Sequence, residues 1–300
     1  MPGKKLIVVV GPTAVGKTEV AIRLAELFGT EIISADSRQI YRELNIGTAK
    51  PTQAELNRIK HHFINSHSLE DPFDAGSYGR DALQVIHQLF QHHNVLILCG
   101  GSGLYVQALL EGFDEMPEIP AGTRESIIAN YSEKGLRWLQ DEVKKIDPDY
   151  FDQVDRKNPH RLVRALELHY ASNKPVLELR KRSKRQHPFS IVKVGLELDR
   201  EELYQRIDTR MDTMIAAGLF EEATRYFHKR QLNALQTVGY REIFGFLEGA
   251  YDKEEAIRLL KRNTRHYAKR QLTWFKKDQE ITWFNPAQWE KIVRFVKLDP

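Results

Sequence analysis

Short apolar runs and amphipathic stretches alternate along the N-terminal third of the chain. Residues 6–10 read LIVVV, a continuous run rich in β-branched side chains that is typical of a strand covered on both faces. The next stretch, KTEVAIRLAELFG, repeats apolar residues at helical spacing and places Val20, Leu24 and Leu27 on one face. Strands that alternate with helices in this way predict an α/β domain with a parallel sheet.

Further strands are predicted from apolar runs later in the chain. A helix with Ala82, Ile86 and Leu89 on its apolar face separates two of these runs. The predicted strands are EIISADS at 31–37, NVLILCGG at 94–101, SIVKVGLEL at 190–198 and ITWF at 281–284. These segments extend the parallel sheet beyond the first strand and helix.

The turn between the first strand and the first helix matches the phosphate-binding pattern G-x-x-x-x-G-K-[ST]. Its residues are Gly11, Pro12, Thr13, Ala14, Val15, Gly16, Lys17 and Thr18. In this pattern backbone amides and the helix N-terminus surround a phosphate, the lysine adds positive charge, and the final hydroxyl contacts Mg²⁺. A glycine-rich turn that only starts a helix is the alternative, and the strand–loop–helix register disfavours it.

The central part of the chain has a different pattern. From about Gly112 to Pro188 the spacing is helical, in stretches such as ESIIANYSEKGLRWLQDEVKKI and PHRLVRALELHYASN, without a convincing strand. The segment DEMPEIPAG is suited to be an entry hinge. The sequence therefore predicts a P-loop NTPase-like α/β core at 1–112 and 189–300, with a parallel sheet flanked by helices, and a helical insertion at 113–188.

Asp36 follows the second predicted strand at the edge of the sheet where ligands bind in open α/β folds. A turn or helix N-cap aspartate is one interpretation, because SADSRQIY is able to start a helix at Ser37. A base or metal ligand beside the phosphates is the other. The strand NVLILCGG ends in Gly100 and Gly101 instead of an acid, which argues against a motor or switch ATPase but not against a kinase.

Composition is that of an ordinary globular protein, with 41% hydrophobic and 29% charged residues and a net charge of +4. The single cysteine, Cys99, excludes an internal disulfide and a multi-cysteine zinc site. No apolar run is long enough for a membrane span, and the chain enters its first strand without room for a signal peptide. We therefore expect a cytoplasmic protein.

Positive charge is concentrated near the C-terminus, where residues 256–277 contain no acid. A helical wheel places five basic residues in one stripe: Arg258, Arg262, Arg265, Lys269 and Lys276. A second basic cluster, RKRSKRQH, occupies 180–187. Such charge favours contact with RNA phosphates, but a solvated helix face has the same pattern, so both interpretations stay open.

Several motifs in order resemble those of bacterial tRNA dimethylallyltransferases, also called tRNA isopentenyltransferases. They are GPTAVGKT, ISADSRQIYRELNIGTAKP, GGSGLY, NPHRLVRALE, VGYREI and RHYAKRQLTWF. The resemblance extends from Leu6 to about Phe284, and Ser102 stands where the family often has threonine. It implies transfer of the dimethylallyl group of dimethylallyl diphosphate to N6 of the tRNA adenosine on the 3′ side of the anticodon, with release of diphosphate.

The resemblance also implies roles for individual residues. The nucleotide-binding (ATP-binding) type of loop from Gly11 to Thr18 holds the diphosphate, with Thr18 as contact to Mg²⁺, the implied cofactor. Asp36 corresponds to the general base and Arg210 to a diphosphate-binding arginine, while Thr13 lies near the reacting centre. Without the resemblance, Arg210 reads as a surface arginine paired with Asp212 or Glu221.

The implied partner is the anticodon stem-loop of tRNA, and neither a membrane nor an obligate protein partner is expected. The residues that match tRNA-contact positions are Asp36, Ser37, Arg38, Gln39, Ser102, Arg124, His160, Arg161, Leu162, Val163, Arg164, Gly239, Tyr240 and Arg241. Aromatic residues are able to stack on bases, although such residues more often belong to the core: Tyr41, Tyr105, Tyr240 and Trp274.

Three other classes of protein share parts of this pattern. A small-molecule or nucleoside kinase explains the loop and Asp36 but not the basic helix or the insertion. An adenylate isopentenyltransferase has a similar core, and the insertion argues against it. A non-enzymatic RNA-binding module with a degenerate loop is disfavoured because Lys17, Thr18 and Asp36 are all present.

Overall fold

The computed structural model describes residues 3–114, 116–179 and 185–298. The chain divides into two compact units, one formed by Met1–Leu110 with Gln186–Pro300 and the other by Glu111–Arg185. The second unit therefore starts and ends two to three residues before the predicted insertion at 113–188. We refer to them as the α/β unit and the helical unit.

The α/β unit is built on one sheet whose described strands all pair in parallel, in the order β3-β2-β4-β1-β5-β6. The strands are β1 (Lys5–Val10), β2 (Ile32–Ser34), β3 (His61–His62), β4 (Val95–Gly100), β5 (Ser190–Leu196) and β6 (Thr282–Phe284). The predicted α/β fold with a parallel sheet is confirmed. The sequence missed β3, because two polar residues carry no apolar periodicity.

Helices cover both faces of this sheet. In the α/β unit they are α1 (Lys17–Phe28), α2 (Gln53–Arg58), α3 (Ala75–Leu89), α4 (Gly103–Leu110), α9 (Arg200–Ala216), α10 (Leu219–Arg225), α11 (Arg241–Leu247), α12 (Lys253–Phe275) and α13 (Trp289–Leu298). Short 3-10 turns span Phe227–Lys229 and Asn233–Leu235. Within the described residues, no helix combines the length and apolar character needed to cross a membrane.

Strand β1 supplies side chains to two cores, because alternate residues of a strand point to opposite faces. Leu6 and Val8 pack in one core with α3 and α4, and Ile7 and Val9 pack in the other with α1. The continuous apolar run therefore reflects burial on both faces. The face of α1 is buried at Val20 and Leu24 as expected, but Leu27 is 43% exposed.

The helical unit has a core of its own. Its helices are α5 (Thr123–Ile146), α6 (Pro148–Gln153), α7 (Pro159–Ser172) and α8 (Val176–Leu179). Gly135 has a φ of 75° inside α5, so this element is two helical pieces joined at a kink. The buried carboxylate of Asp147 accepts hydrogen bonds from the amides of Tyr150 and Val176, at 3.0 and 2.7 Å, and so fixes the start of α6 and of α8.

Tyr78 of α3 anchors the end of β2, two residues before Asp36. Its side chain is fully buried, its ring stacks on Tyr105 at 4.4 Å between centroids, and its hydroxyl donates to the carbonyl of Ser34 at 2.9 Å. The hydroxyl thus serves a backbone acceptor in the interior, where an unpaired group is costly.

We expect Tyr78→Phe to lower the free energy of unfolding by about 1–3 kcal/mol, because the carbonyl of Ser34 loses a buried donor. The matched control is Tyr170→Phe, whose side chain is 49% exposed and should tolerate the change. Urea denaturation followed by circular dichroism measures both. Equal unfolding free energies for Tyr78→Phe and the wild type would contradict the prediction.

Candidate active site

The phosphate loop lies where β1 leaves the sheet and α1 begins. Gly11 and Gly16 have φ values of 148° and 103°, which side chains rarely adopt. A Cβ on Gly11 would lie 2.5 Å from the carbonyl oxygen of Leu196, at the end of β5. Among the described residues no side chain caps α1, whose residue before the first turn is Gly16. The first amides of α1 are therefore available to an anion.

Lys17 lies inside this loop. Its Nζ donates to the carbonyl of Pro12 at 2.7 Å. Burial lowers the pKa of Lys17 to about 8, Arg210 acts in the same direction, and Cys99 and Asp36 oppose it. A bound phosphate would favour the charged ammonium, because opposite charge stabilises the protonated form.

Thr13 connects the loop to two distant helices. Its hydroxyl accepts a hydrogen bond from Nη2 of Arg210 on α9. Its amide donates to Oε1 of Gln271 on α12 at 2.8 Å, and Nε2 of Gln271 donates to the carbonyl of Gly101 at 2.9 Å. Three segments far apart in sequence thus fix the position of Thr13.

Arg210 does not pair with either acid of the surface alternative. Asp212 instead forms an ion pair with Lys261 at 2.6 Å. Burial lowers the pKa of Arg210, and the nearby Asp36 opposes that shift. Arg210 therefore lies beside the loop and the carboxylate, and the surface interpretation of this residue is wrong.

Asp36 lies at the carboxyl edge of the sheet, where the β2 segment meets the end of β4. Residues 37–40 form a turn and not a helix. Oδ1 of Asp36 accepts from the amides of Arg38 and Gln39 at 2.9 and 3.3 Å. The turn interpretation of Asp36 is thus correct for one oxygen, while Oδ2 accepts no hydrogen bond from the described part of the chain.

Ser102 joins the two strand ends. Its Oγ accepts from the amide of Ser37 at 2.9 Å and donates to Oγ of Ser37 at 3.2 Å, while its own amide donates to the carbonyl of Ala35 at 3.2 Å. Tyr267 of α12 lies next to it: burial raises the pKa of Tyr267 to about 12, with Asp36 acting in the same direction and a hydrogen bond to Ser102 opposing.

The phosphate loop, Asp36, Arg210 and Tyr267 line one cavity of about 860 Å³ in the α/β unit. The predicted residues that line it are Thr13, Ala14, Gly16, Lys17, Thr18, Asp36, Gln39 and Arg210. Lining residues with functional side chains that were not predicted from the sequence include His61, Arg206, Tyr267 and Gln271. The helical spacing of Arg206 and Arg210 is a signal that would have found Arg206, whereas the other three depend on tertiary packing.

The segment 239–241 is divided between the core and a basic surface cavity. Tyr240 is fully buried and donates its hydroxyl to Oε1 of Glu222 at 2.7 Å, so its ring is not available for stacking on a base. Gly239 is buried as well. Arg241 lines a cavity of about 320 Å³ together with Arg262 and other residues. Further basic members of that lining are His266 and Arg270.

The basic stripe on α12 is partly neutralised by acids that lie outside residues 256–277. Arg265 pairs with Asp208 at 2.7 Å and Lys276 with Glu197 at 2.7 Å. Arg258 pairs with Glu255 at 2.6 Å, at the start of the same helix. Arg262 and Lys269 have no ion pair among residues 3–114, 116–179 and 185–298. The stripe therefore presents less free charge than its sequence indicates.

The predicted contact residues of the helical unit also divide into two groups. Arg124, His160, Arg161 and Arg164 are exposed. Leu162 and Val163 are 0% and 2% exposed and pack in the core of the unit, so within the predicted segment 160–164 their side chains are not available to RNA. Most of the second basic cluster, 180–184, lies outside the described residues.

The parallel sheet with a glycine-rich loop between β1 and α1 defines a protein of the P-loop class. A family model described as IPP transferase matches residues 39–278. The tRNA dimethylallyltransferase of Cytophaga hutchinsonii is 50% identical over 294 residues, which are 98% of this chain and 97% of that protein. The tRNA dimethylallyltransferase 1 of Bacteroides fragilis is 47% identical over 99% of each chain.

Among solved structures, the full-length tRNA isopentenylpyrophosphate transferase of Bacillus halodurans is similar, with a TM-score of 0.72 and 34% identity. The match covers 98% of this chain and 96% of that one. Because the family model matches residues 39–278 and these relatives match nearly the whole length, the chain belongs to the IPP transferase family.

We expect binding of inorganic diphosphate to weaken as the pH rises above about 8, because Lys17 then loses the proton that the anion favours. One lost proton corresponds to at most about a tenfold loss of affinity per pH unit. Calorimetry at pH 7, 8 and 9 measures the effect. Lys17→Arg, which stays charged, is the control that subtracts the ionisation of diphosphate itself. Parallel pH profiles for the two proteins would contradict the assignment.

Proposed function

We propose that the protein transfers the dimethylallyl group of dimethylallyl diphosphate to N6 of the tRNA adenosine on the 3′ side of the anticodon and releases diphosphate. One observation carries the proposal: the same cavity is lined by a phosphate loop and by Asp36, whose Oδ2 accepts no hydrogen bond from the described residues. The names of the full-length relatives support the same reaction.

The donor side is formed by the loop and two cations. Backbone amides at the start of α1 bind the diphosphate, and Lys17 and Arg210 neutralise the charge that grows on it as the carbon–oxygen bond breaks. Thr13, which Arg210 and Gln271 fix from two sides, is then in place beside the reacting carbon. Such preorganised charge stabilises the transition state without reorganisation during the reaction.

Mg²⁺ fits this site as a partner of the donor. The described residues contain no group of three or more His, Cys, Asp or Glu side chains suited to a metal ion. Thr18 lines the cavity next to Lys17 and offers one hydroxyl oxygen. Mg²⁺ commonly binds through substrate phosphates and water with few protein ligands, so Thr18 would hold it and the ion would supply further charge neutralisation.

The acceptor side is formed by Asp36. The lone pair of N6 forms the new carbon–nitrogen bond, the bond from that carbon to the diphosphate oxygen breaks, and Asp36 accepts the proton from N6. An exocyclic amine is a weak nucleophile because its lone pair is delocalised, so orientation and proton removal both contribute. Ser37, Ser102 and Tyr267 border the carboxylate and are suited to orient the base.

The RNA is bound by basic groups, and its target base must leave the anticodon-loop stack to reach Asp36. Arg241 and Arg262 of the 320 Å³ cavity are suited to contact phosphates in the α/β unit. The exposed arginines of the helical unit are suited to the same task, which supports a role of that unit in tRNA binding.

The test is transfer of label. We expect radiolabel from the prenyl group of dimethylallyl diphosphate to appear in tRNA, in the anticodon stem-loop fragment after nuclease digestion. AMP as acceptor tests adenylate prenylation, and γ-labelled ATP tests a kinase. Label in AMP alone or phosphate transfer from ATP would overturn the proposal.

Asp36→Asn should lower kcat by about 10²–10⁴-fold, the usual contribution of a general base. Asparagine keeps an oxygen for the amides of Arg38 and Gln39, so the turn is preserved while the basicity is lost. Single-turnover prenyl transfer measures the effect, and diphosphate binding should stay unchanged. The control is Asp81→Asn, an exposed aspartate of α3. Wild-type turnover of Asp36→Asn would remove this residue from the base role.

Arg241→Ala and Arg262→Ala should each weaken tRNA binding and reduce the slope of log affinity against log salt by about one unit, the effect of one lost phosphate contact. The control is Arg258→Ala, because the charge of Arg258 is already paired with Glu255. Fluorescence anisotropy at several salt concentrations measures the slopes. Unchanged slopes for both variants would show that Arg241 and Arg262 do not contact RNA phosphates and belong to an ordinary solvated surface.

A further inference from the structure

Two exposed arginines of the helical unit meet at one buried carboxylate. Nη1 of Arg124, in the first turn of α5, donates to Oε1 of Glu167 on α7. Nη1 of Arg164, three residues before Glu167 on the same helix, donates to the other oxygen, Oε2, at 3.0 Å. Each carboxylate oxygen thus binds a different arginine.

The exposure of the three side chains is very unequal. The side chain of Glu167 is 3% exposed, whereas those of Arg124 and Arg164 are 55% and 47% exposed. Within the part of the chain that the structure describes, each arginine donates one N–H to Glu167 and makes no other hydrogen bond. A guanidinium carries five N–H donors, so most donors of both arginines face solvent.

This arrangement differs from an ordinary surface ion pair. An exposed pair gains little, because both side chains lose rotamer freedom and water screens their charges. A buried carboxylate that binds two guanidinium groups fixes both long side chains next to each other. Two like charges held together in this way attract a third group of opposite sign, and a phosphate oxygen has the geometry that arginine donors match.

We propose that Glu167 is a positioning residue that holds Arg124 and Arg164 as a two-arginine site for RNA backbone phosphate. The inference rests on the proposed function, because it names the part of the helical unit that binds the RNA. Glu167 itself does not touch the RNA. It lowers the entropy that the two arginines lose on binding, since they are already ordered in the free protein.

The surroundings on α7 fit the same ligand. Arg161 precedes Arg164 by three residues and therefore lies on the same face of the helix, and it is exposed. His160, at the N-terminal turn, is exposed as well. The apolar side chains of α7, including Leu162 and Leu166, point into the core of the unit. The exposed face of α7 is thus basic next to the site.

The decisive experiment measures whether Glu167 affects tRNA affinity by positioning the two arginines or only through its charge. Glu167→Gln removes one negative charge and so raises the net charge by one, and simple electrostatics therefore predicts tighter RNA binding. Positioning predicts the opposite: an affinity for an unmodified tRNA transcript that is lower by about fivefold to a hundredfold, because two arginine side chains must be ordered on binding. Fluorescence anisotropy with the full-length protein measures the affinity.

The matched control is Asp152→Asn, which changes the charge by the same amount. Asp152 lies in the helical unit in an exposed ion pair with Arg156 at 2.8 Å, with side-chain exposures of 76% and 50%. We expect this variant to bind tRNA as well as the wild type or slightly better. Affinity of Glu167→Gln equal to or above that of Asp152→Asn would overturn the inference.

A second comparison separates positioning from a role in folding. In a background of Arg124→Ala with Arg164→Ala, Glu167 has nothing left to position, so Glu167→Gln should not lower the tRNA affinity further. A further loss in that background would show that Glu167 acts through the fold, and would overturn the inference. Diphosphate binding reports on the α/β unit and should be equal in all variants.

The outcomes also distinguish this inference from the proposed function. If the wild type transfers the prenyl group to tRNA and Glu167→Gln binds tRNA normally, only the role of Glu167 fails. If the wild type neither binds nor modifies tRNA, the proposed function fails and the inference fails with it. In Glu167→Gln we expect KM for tRNA to rise while kcat at saturating tRNA stays close to that of the wild type.

Discussion

The fixed position of the phosphate loop is the constraint on which the site depends. Thr13 donates its amide to Gln271 and accepts from Arg210 with its hydroxyl, while Gly11 approaches the carbonyl of Leu196 too closely for any side chain. Strand β5 and helices α9 and α12 therefore complete a cradle that β1 and α1 only begin. Because these contacts exist in the free protein, the donor groups need little reorganisation when an anion binds.

The same packing explains why β4 ends in glycines and not in an acid. A Cβ on Gly100 would lie 2.1 Å from the carbonyl oxygen of Ala35, and one on Gly101 would lie 2.4 Å from Nε2 of Gln271. The close approach brings the segment that carries Asp36 next to Ser102. The site therefore has its carboxylate just after the end of β2 and not at the end of β4.

Buried carboxylates position the surrounding segments in both units. Glu222 is 7% exposed and accepts hydrogen bonds from the amides of Asn45, Ile46 and Gly47 and from the hydroxyl of Tyr240. These hydrogen bonds fix the loop at residues 45–47, which follows Asp36 in the chain. The next two residues, Thr48 and Ala49, line the cavity. Glu167 makes comparable contacts with arginine side chains. A buried carboxylate is costly unless donors surround it, so each one specifies its neighbours.

The sequence by itself determined the parallel sheet, the phosphate loop and the helical insertion, because apolar periodicity and a contiguous motif are local signals. It also indicated Asp36 as a candidate, although its local pattern left both a turn aspartate and a base or metal ligand open. Only the tertiary structure decided that Arg210 lies against Thr13, that Tyr240 is buried and that Arg265 is neutralised by Asp208. Those outcomes depend on which distant segments pack together, and spacing along the chain carries no record of that packing.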